Sequence, residues 1–209
     1  MTTKTLTSLA LLTLVGSLAQ AQSTVALAVR PDSKLSIEGG SNLHAWSCKA
    51  SAFDASIVVD PAFAKETAAM PKFLQRVEVR IPVTNLKCGH GQMDKNLYKA
   101  LKADEKPTIS YILGSFDVAT GETKGAVDLK TVGKLQVAGQ QNEIKMDVTA
   151  TWLADGSIRA EGTLPILMTD YGIKPPTALL GTLKTDNKVT VKFQLNVGPE
   201  TIVAATTQH

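Results

Sequence analysis

Two cysteines and two histidines are the residues of this chain best suited to chemistry. Cys48 and Cys88 are the only cysteines; His44 lies four residues before the first, and His90 lies two residues after the second. On β-strands, both spacings place the two side chains of a pair on one face. Two thiolates and two imidazoles form a tetrahedral ligand set for zinc, so a Cys2His2 metal site is one interpretation. A disulfide between the cysteines is the other, and it excludes a thiolate metal site.

The N-terminal residues favour the disulfide. Lys4 precedes an apolar run over residues 6–18, and the small residues Ala19 and Ala21 then flank Gln20. This pattern predicts a signal peptide over residues 1–21, followed by a mature domain over residues 22–209. The run is shorter than the ~20 apolar residues of a spanning helix, and we expect no membrane span in the mature form. We therefore expect a periplasmic or secreted protein, in which Cys48 and Cys88 would be oxidised to a disulfide.

Several motifs of catalysis are missing from the sequence. It contains no G-x-S-x-G elbow, no H-E-x-x-H pair and no C-x-x-C motif. Gly89-His90-Gly91 is too short to cradle a phosphate, and the other histidines are His44 and the terminal His209. The sequence therefore predicts a protein that is not an enzyme.

The charge and length of the chain limit the kinds of partner and the number of domains that we expect. The chain has 22 Lys and Arg residues against 19 Asp and Glu residues, and the basic residues are scattered. A nucleic-acid-binding surface would concentrate them, so we expect no nucleic-acid partner. Residues 22–209 are enough for one domain with a sizeable core. The oligomeric state stays open, a homodimer included.

Alternation of apolar and polar residues dominates residues 22–209 and indicates β-strands. It is clearest over residues 77–83, 144–152 and 189–197. Weaker strands are predicted over residues 25–30, 35–38, 43–50, 56–59, 109–116, 127–137 and 158–164. Turns that contain Gly, Pro, Asp or Ser are predicted between strands at residues 31–33, 39–40, 120–122, 138–140 and 154–156.

One segment has a helical period instead. Met93, Leu97 and Leu101 are spaced by four residues, which predicts an amphipathic helix over residues 92–102 that ends before Pro107. A second short turn is predicted over residues 169–173. The chain is thus all-β with one short helix. Its antiparallel strands must close into a barrel of about eight strands or stack as a two-sheet sandwich, and the pattern leaves both open.

Four motifs carry a resemblance to a known family. Residues 35–46 read LSIEGGSNLHAW, a Gly/Ser/Asn turn that leads to His and Trp. Residues 93–102 and 107–111 form a helix followed by a strand, residues 169–173 read TDYGI, and residues 189–195 form a closing strand. In this order the motifs resemble the YceI-like proteins over nearly the whole of residues 22–209.

The resemblance implies a lipocalin-like antiparallel barrel, usually periplasmic, that encloses an elongated apolar channel. It also implies an apolar lipid partner: an isoprenoid, a quinone or a fatty-acyl chain. No other cofactor is expected. The side chains expected to line the channel are Trp46, Met93, Leu97, Tyr111, Leu113, Met146, Trp152 and Phe193.

The leading hypothesis is therefore an exported protein that sequesters or carries an apolar lipid. Two rivals stay open. One is a structural or interaction protein whose barrel is filled by its own side chains, and the other is a periplasmic metal-binding protein that uses His44, Cys48, Cys88 and His90.

Overall fold

The computed structural model describes residues 24–60, 73–119, 125–178 and 181–199. The predicted signal peptide and the turn predicted at residues 120–122 lie outside the described residues. One α-helix, α1 (Gly91–Ala100), and twelve strands occur within them. The strands are β1 (Val25–Val29), β2 (Lys34–Ser41), β3 (Trp46–Ala50), β4 (Asp54–Val59), β5 (Leu74–Pro82), β6 (Leu86–Lys87), β7 (Thr108–Ala119), β8 (Ala126–Val137), β9 (Gln140–Trp152), β10 (Ile158–Leu167), β11 (Thr177–Ala178) and β12 (Leu183–Pro199).

Eight of these strands close into an antiparallel barrel. The ring runs through β1, β4, β5, β7, β8, β9, β10 and β12, and β12 returns to β1, where Val197 lies opposite Val29. Closure removes the open edges that a two-sheet sandwich would keep. The sequence left barrel and sandwich open, and the pairing of β12 with β1 decides for the barrel.

Three short strands extend the wall of the barrel at one end. The long strand β12 pairs with β2 along residues 185–194 and with β1 along residues 197–199. A turn at residues 30–33 joins β1 to β2. β3 pairs with β2, and β6 pairs with β3. The helix α1 follows β6 at this end, which we call the helix end. The opposite end, where β1 and β10 begin and β12 finishes, is the far end.

The inward-facing residues form two packed groups, one above the other. The helix-end core includes Leu35, Ile81, Leu86, Ile109 and Tyr171, all buried. The far-end core includes the buried residues Leu27, Ile57, Val127, Val148 and Leu195. Met146 and Phe193 pack against both groups, so they mark the middle of the barrel.

The predicted glycine turn at residues 39–40 is wrong, because both glycines lie within β2. Gly39 pairs with Trp46 of β3 and with Val189 of β12. The actual turn covers residues 42–45. There the Ser41 hydroxyl accepts hydrogen bonds from the backbone N–H groups of Leu43 and His44, at 3.2 and 3.1 Å. The strand predicted from residue 43 therefore starts at Trp46.

Two further boundaries move by a few residues. Val83, predicted as the last residue of a strand, instead begins a 3₁₀ turn over Val83–Asn85 after Pro82. The helix ends at Ala100, two residues earlier than predicted, because Lys102 adopts a positive φ of 55°. The short turn predicted at residues 169–173 is present as a 3₁₀ turn over Met168–Tyr171, which a left-handed Gly172 terminates.

None of the helices in the described ranges is long and apolar enough to cross a membrane.

Candidate ligand-binding cavity

The barrel contains a cavity of about 370 Å³ that extends along both cores. Its wall is almost entirely apolar and includes residues from every strand of the ring as well as from α1. Protein interiors are ordinarily packed so closely that few voids exceed the size of a water molecule. A volume of ~300–1,000 Å³ is typical of ligand pockets, so this cavity is large enough to hold a ligand.

Seven of the eight residues expected to line the channel lie around the cavity. They are Trp46, Met93, Leu97, Tyr111, Leu113, Met146 and Phe193. Trp152 is not among the lining residues. It is the last residue of β9, and it packs against the far-end core instead. Whether the seven residues bind a lipid stays a prediction.

Three of the aromatic rings on the wall lie over glycines of neighbouring strands. A β-carbon built on Gly162 would lie 2.5 Å from Cζ of Phe193, and one on Gly133 would lie 2.5 Å from Cε2 of Tyr111. On Gly39, a β-carbon would overlap the indole of Trp46. Each ring thus occupies the space that a side chain would fill. The glycines let the rings lie against the wall, which leaves the middle of the barrel open.

The helix α1 is fastened to the rim of the barrel by three groups. The Cys48–Cys88 disulfide joins β3 to the residues just before α1. The carboxylate of Asp94 accepts a hydrogen bond of 2.7 Å from the backbone N–H of Cys88. The Tyr98 hydroxyl lies 2.9 Å from the carbonyl oxygens of both Thr84 and Leu86. Met93, Leu97 and two neighbouring residues of α1 contribute to the cavity wall, so the helix covers part of this end.

The disulfide rules out the metal site considered from the sequence. Cys48 and Cys88 are both consumed in the bond and offer no thiolate, which leaves only the imidazoles of His44 and His90. No cluster of three or more His, Cys, Asp or Glu side chains in the described part of the chain could hold a metal ion. The Cys2His2 alternative is therefore excluded, and the disulfide expected between Cys48 and Cys88 is present.

The polar groups of the wall occur in two places. The first group lies at the helix end and comes from the end of β2, the loop after it, α1, β11 and the start of β12: Ser41, His44, Asn96, Thr177 and Thr185. They form a polar rim around this end of the cavity. No sequence pattern groups these residues, because they meet only after the barrel closes.

The second polar place lies inside the barrel. Tyr111 and Thr131 face the cavity from β7 and β8. Burial raises the pKa of the Tyr111 phenol, and the nearby Thr131 hydroxyl lowers this pKa by a smaller amount. The Thr131 hydroxyl donates a hydrogen bond of 2.8 Å to the carbonyl oxygen of Met146. Thr131 could have been noticed in the sequence, since it interrupts the apolar face of the strand over residues 127–137.

A buried asparagine holds the far end together where β12 changes partner from β2 to β1. Asn196, 2% exposed, donates its side-chain N–H to Asp32 at 2.7 Å. Its side-chain oxygen accepts from Nε of Arg159 at 3.1 Å, and its backbone N–H donates to the Ser33 hydroxyl at 2.9 Å. These bonds fix the turn between β1 and β2 on the edge of β12.

A carboxylate on the neighbouring turn is also strongly bonded. Asp155 accepts hydrogen bonds from the Ser157 hydroxyl at 2.5 Å and from the Ser157 backbone N–H at 3.0 Å, and it pairs with Arg30 at 2.6 Å. These bonds, those from Ser157 most of all, hold the pKa of the Asp155 carboxyl far below its usual range.

The fold and the cavity together define a hollow antiparallel barrel with an apolar interior and a polar rim. The family model of the YceI-like domain matches residues 17–197. The chain therefore belongs to the YceI-like family. No curated protein sequence matches it.

Solved structures with the same fold come from several bacteria. BcnA of Burkholderia cenocepacia is 18% identical with a TM-score of 0.61, and the match covers 78% of this chain and 95% of that one. A polyisoprenoid binding domain of Saccharophagus degradans is 14% identical with a TM-score of 0.64, over 84% of this chain and 99% of that one. The YCEI protein of Campylobacter jejuni is 17% identical with a TM-score of 0.52, over 69% and 80%. At these identities the likeness shows the fold alone.

Proposed function

We propose that this protein binds an apolar lipid inside its barrel and works outside the cytoplasm as a carrier or scavenger, without catalysing a reaction. The ligand classes are an isoprenoid, a quinone or a fatty-acyl chain. The observation that carries the proposal is the apolar cavity of about 370 Å³, which extends along both cores.

The driving force is the transfer of the lipid chain from water to the apolar wall. Each buried methylene contributes about 0.8 kcal/mol, so ten of them contribute about 8 kcal/mol before the cost of ordering the chain is subtracted. Shape and apolar area alone can therefore retain a lipid. Nothing in this mechanism requires a bond to be made or broken.

The relatives and the disulfide support the proposal from other directions. The similar domain of Saccharophagus degradans is named for polyisoprenoid binding. The Cys48–Cys88 disulfide is consistent with an oxidising compartment, which agrees with the signal peptide predicted over residues 1–21. Periplasmic or secreted placement remains part of the proposal.

The rival interpretation is a barrel filled by its own side chains. The three glycine–aromatic pairs argue against it, because Trp46, Tyr111 and Phe193 are accommodated in the wall rather than in the middle of the barrel. A barrel that needed only a packed core would have no use for this arrangement, since every void costs stability.

Filling the cavity tests the proposal directly. Ala160 of β10 lines the cavity, whereas its neighbour Glu161 is exposed on the outer face. Ala160→Phe places a ring in the ligand space, and Glu161→Phe is the matched control that adds the same ring outside. Binding is measured by fluorescence titration with an acyl probe whose emission rises in apolar surroundings.

We expect wild type and Glu161→Phe to bind the probe alike, and Ala160→Phe to bind at least tenfold more weakly. A tenfold loss corresponds to displacing about two methylenes from the wall. Thermal unfolding of all three proteins verifies that the filled barrel is folded. Equal affinity in a folded Ala160→Phe protein, or no probe uptake by wild type, would refute the proposal.

A further inference from the structure

One polar atom deep in the barrel has no role in the packing described so far. The hydroxyl of Tyr111 is buried, and it forms no hydrogen bond with any group in the described part of the chain. A buried hydroxyl without a partner destabilises the fold, because the bond it made to water is not replaced. Orphaned polar groups of this kind are uncommon in folded proteins.

The surroundings hold this hydroxyl in place. Tyr111 lies across Gly133, where a β-carbon would come within 2.6 Å of its hydroxyl oxygen and within 2.7 Å of the carbonyl oxygen of Ile112. Any residue with a side chain at position 133 would therefore displace the ring. The Thr131 hydroxyl is close by and donates its own hydrogen to the carbonyl oxygen of Met146. Its oxygen could still accept from Tyr111, but the two hydroxyls do not lie in hydrogen-bond geometry, so the donor of Tyr111 is left without a partner among the described residues.

The cavity also restricts the charge of what can sit beside Tyr111. Among the described residues that form its wall there is no Lys, Arg, Asp or Glu. A phosphate or a carboxylate inside the barrel would find no ionic partner, and an unpaired buried charge is strongly disfavoured. A neutral acceptor such as a carbonyl oxygen needs only one donor. The phenol is that donor, since a tyrosine hydroxyl is protonated at neutral pH and burial raises the pKa of this one further.

We propose that Tyr111 donates a hydrogen bond to a neutral carbonyl oxygen of the bound lipid, so that the polar group of the ligand lies within the barrel rather than at its rim. This inference rests on the proposed lipid-binding function and narrows it. The ligand class becomes a neutral lipid with a carbonyl next to a long apolar chain. Prenylated quinones and fatty-acyl esters both meet this description.

The test compares Tyr111→Phe with wild type on three lipids. They are a prenylated quinone, a fatty-acyl methyl ester and an isoprenoid hydrocarbon of matched length. Tyr111→Phe removes one oxygen and leaves the ring over Gly133. Phe193→Leu is the control, because it alters the apolar wall without touching a polar group. Affinities are measured by displacement of a fluorescent acyl probe.

Tyr111→Phe should weaken binding of the quinone, the ester or both about fivefold, in keeping with the net contribution of one hydrogen bond. Hydrocarbon binding should change less than twofold. Which of the two carbonyl lipids responds identifies the source of the carbonyl. Phe193→Leu should weaken carbonyl lipids and hydrocarbon to the same degree. The infrared carbonyl stretch of the bound lipid should lie at lower frequency in wild type than in Tyr111→Phe.

Two results would overturn the inference, and they are distinguishable. If Tyr111→Phe changes all three lipids equally and leaves the carbonyl stretch unmoved, Tyr111 only packs, while the proposed function stands. If folded wild type binds none of the lipids, the proposed function fails and this inference fails with it.

Discussion

The pairing of Trp46 with Gly39 makes a strong prediction about stability. Gly39 is the one of the three paired glycines whose β-carbon would meet only the aromatic side chain. Non-bonded carbons pack at about 3.5–4.0 Å, so in Gly39→Ala the indole must retreat by roughly 1 Å. It would move towards the cavity that it now lines, and its hydrogen bond of 3.0 Å to the carbonyl oxygen of Gly40 would be strained.

The magnitude follows from two opposing effects. Overpacking of this kind costs about 1–3 kcal/mol, while alanine in a strand gains ~0.5–1 kcal/mol over glycine through the unfolded chain. We expect Gly39→Ala to be about 1–2 kcal/mol less stable than wild type, which is a Tm lower by roughly 2–8 °C for a domain of this size. Lipid affinity should also fall, because the displaced ring enters the ligand space.

A double-mutant cycle isolates the clash from other effects. In a Trp46→Leu background there is no indole to displace, so Gly39→Ala should be neutral or slightly stabilising. Gly91→Ala is the control for a glycine with open space, since no atom beyond its chain neighbours and the nearby backbone of α1 lies within 4 Å of its β-carbon. Free energies of unfolding in urea should show a coupling of about 2 kcal/mol between positions 39 and 46. Strictly additive changes would refute the role assigned to this pair.

Three further perturbations test how the barrel is held together. Replacing Cys48 and Cys88 by serine should lower the free energy of unfolding by about 4 kcal/mol, since a loop of some 40 residues is released. Hydrogen exchange should then rise first in α1, which the disulfide fastens. Asn196→Ala should cost about 1–3 kcal/mol in urea unfolding through lost buried hydrogen bonds, whereas the half-buried Gln194→Ala should change little. The pKa of the Asp155 carboxyl is lowered in the folded protein, so its contribution to stability is present above the unfolded pKa of about 4 and is lost as the pH falls below it. The difference in Tm between wild type and Asp155→Asn should therefore be constant from about pH 5 to 8 and shrink below about pH 4.

Each of these has a clear contrary result. A double serine variant as stable as wild type would show that the disulfide constrains nothing in the unfolded chain. If Gln194→Ala and Asn196→Ala lower the free energy of unfolding equally, the buried hydrogen bonds of Asn196 do not stabilise the far end as described. If the Tm difference grows in acid, the pKa of the Asp155 carboxyl is raised rather than lowered by folding.

The strands were predictable because alternation reports which face of a strand is apolar. Ile144, Met146 and Val148 were placed on one face of β9 from the sequence, and all three line the cavity. Alternation does not report which inward-facing side chains reach the cavity. Trp152 shares that face and packs against the far-end core, yet it does not line the cavity, although Ile158, its partner on β10, does.

Glycine was the main source of error in the local prediction. Gly39 and Gly40 were assigned to a turn because glycine most often marks one. Here Gly39 provides space for the indole of a neighbouring strand, which is a contact that depends on register. The orphaned hydroxyl of Tyr111 was equally invisible, since a missing partner can be recognised only when the neighbours across the barrel are known.

The central claim is that the barrel carries a lipid, and the most direct test is native mass spectrometry of the protein purified without detergent, followed by organic extraction. We predict one lipid bound per chain, whose fragmentation identifies a carbonyl group and an isoprenoid or acyl chain. A mass equal to that of the polypeptide alone, together with no uptake of added quinone or fatty-acyl ester, would contradict it.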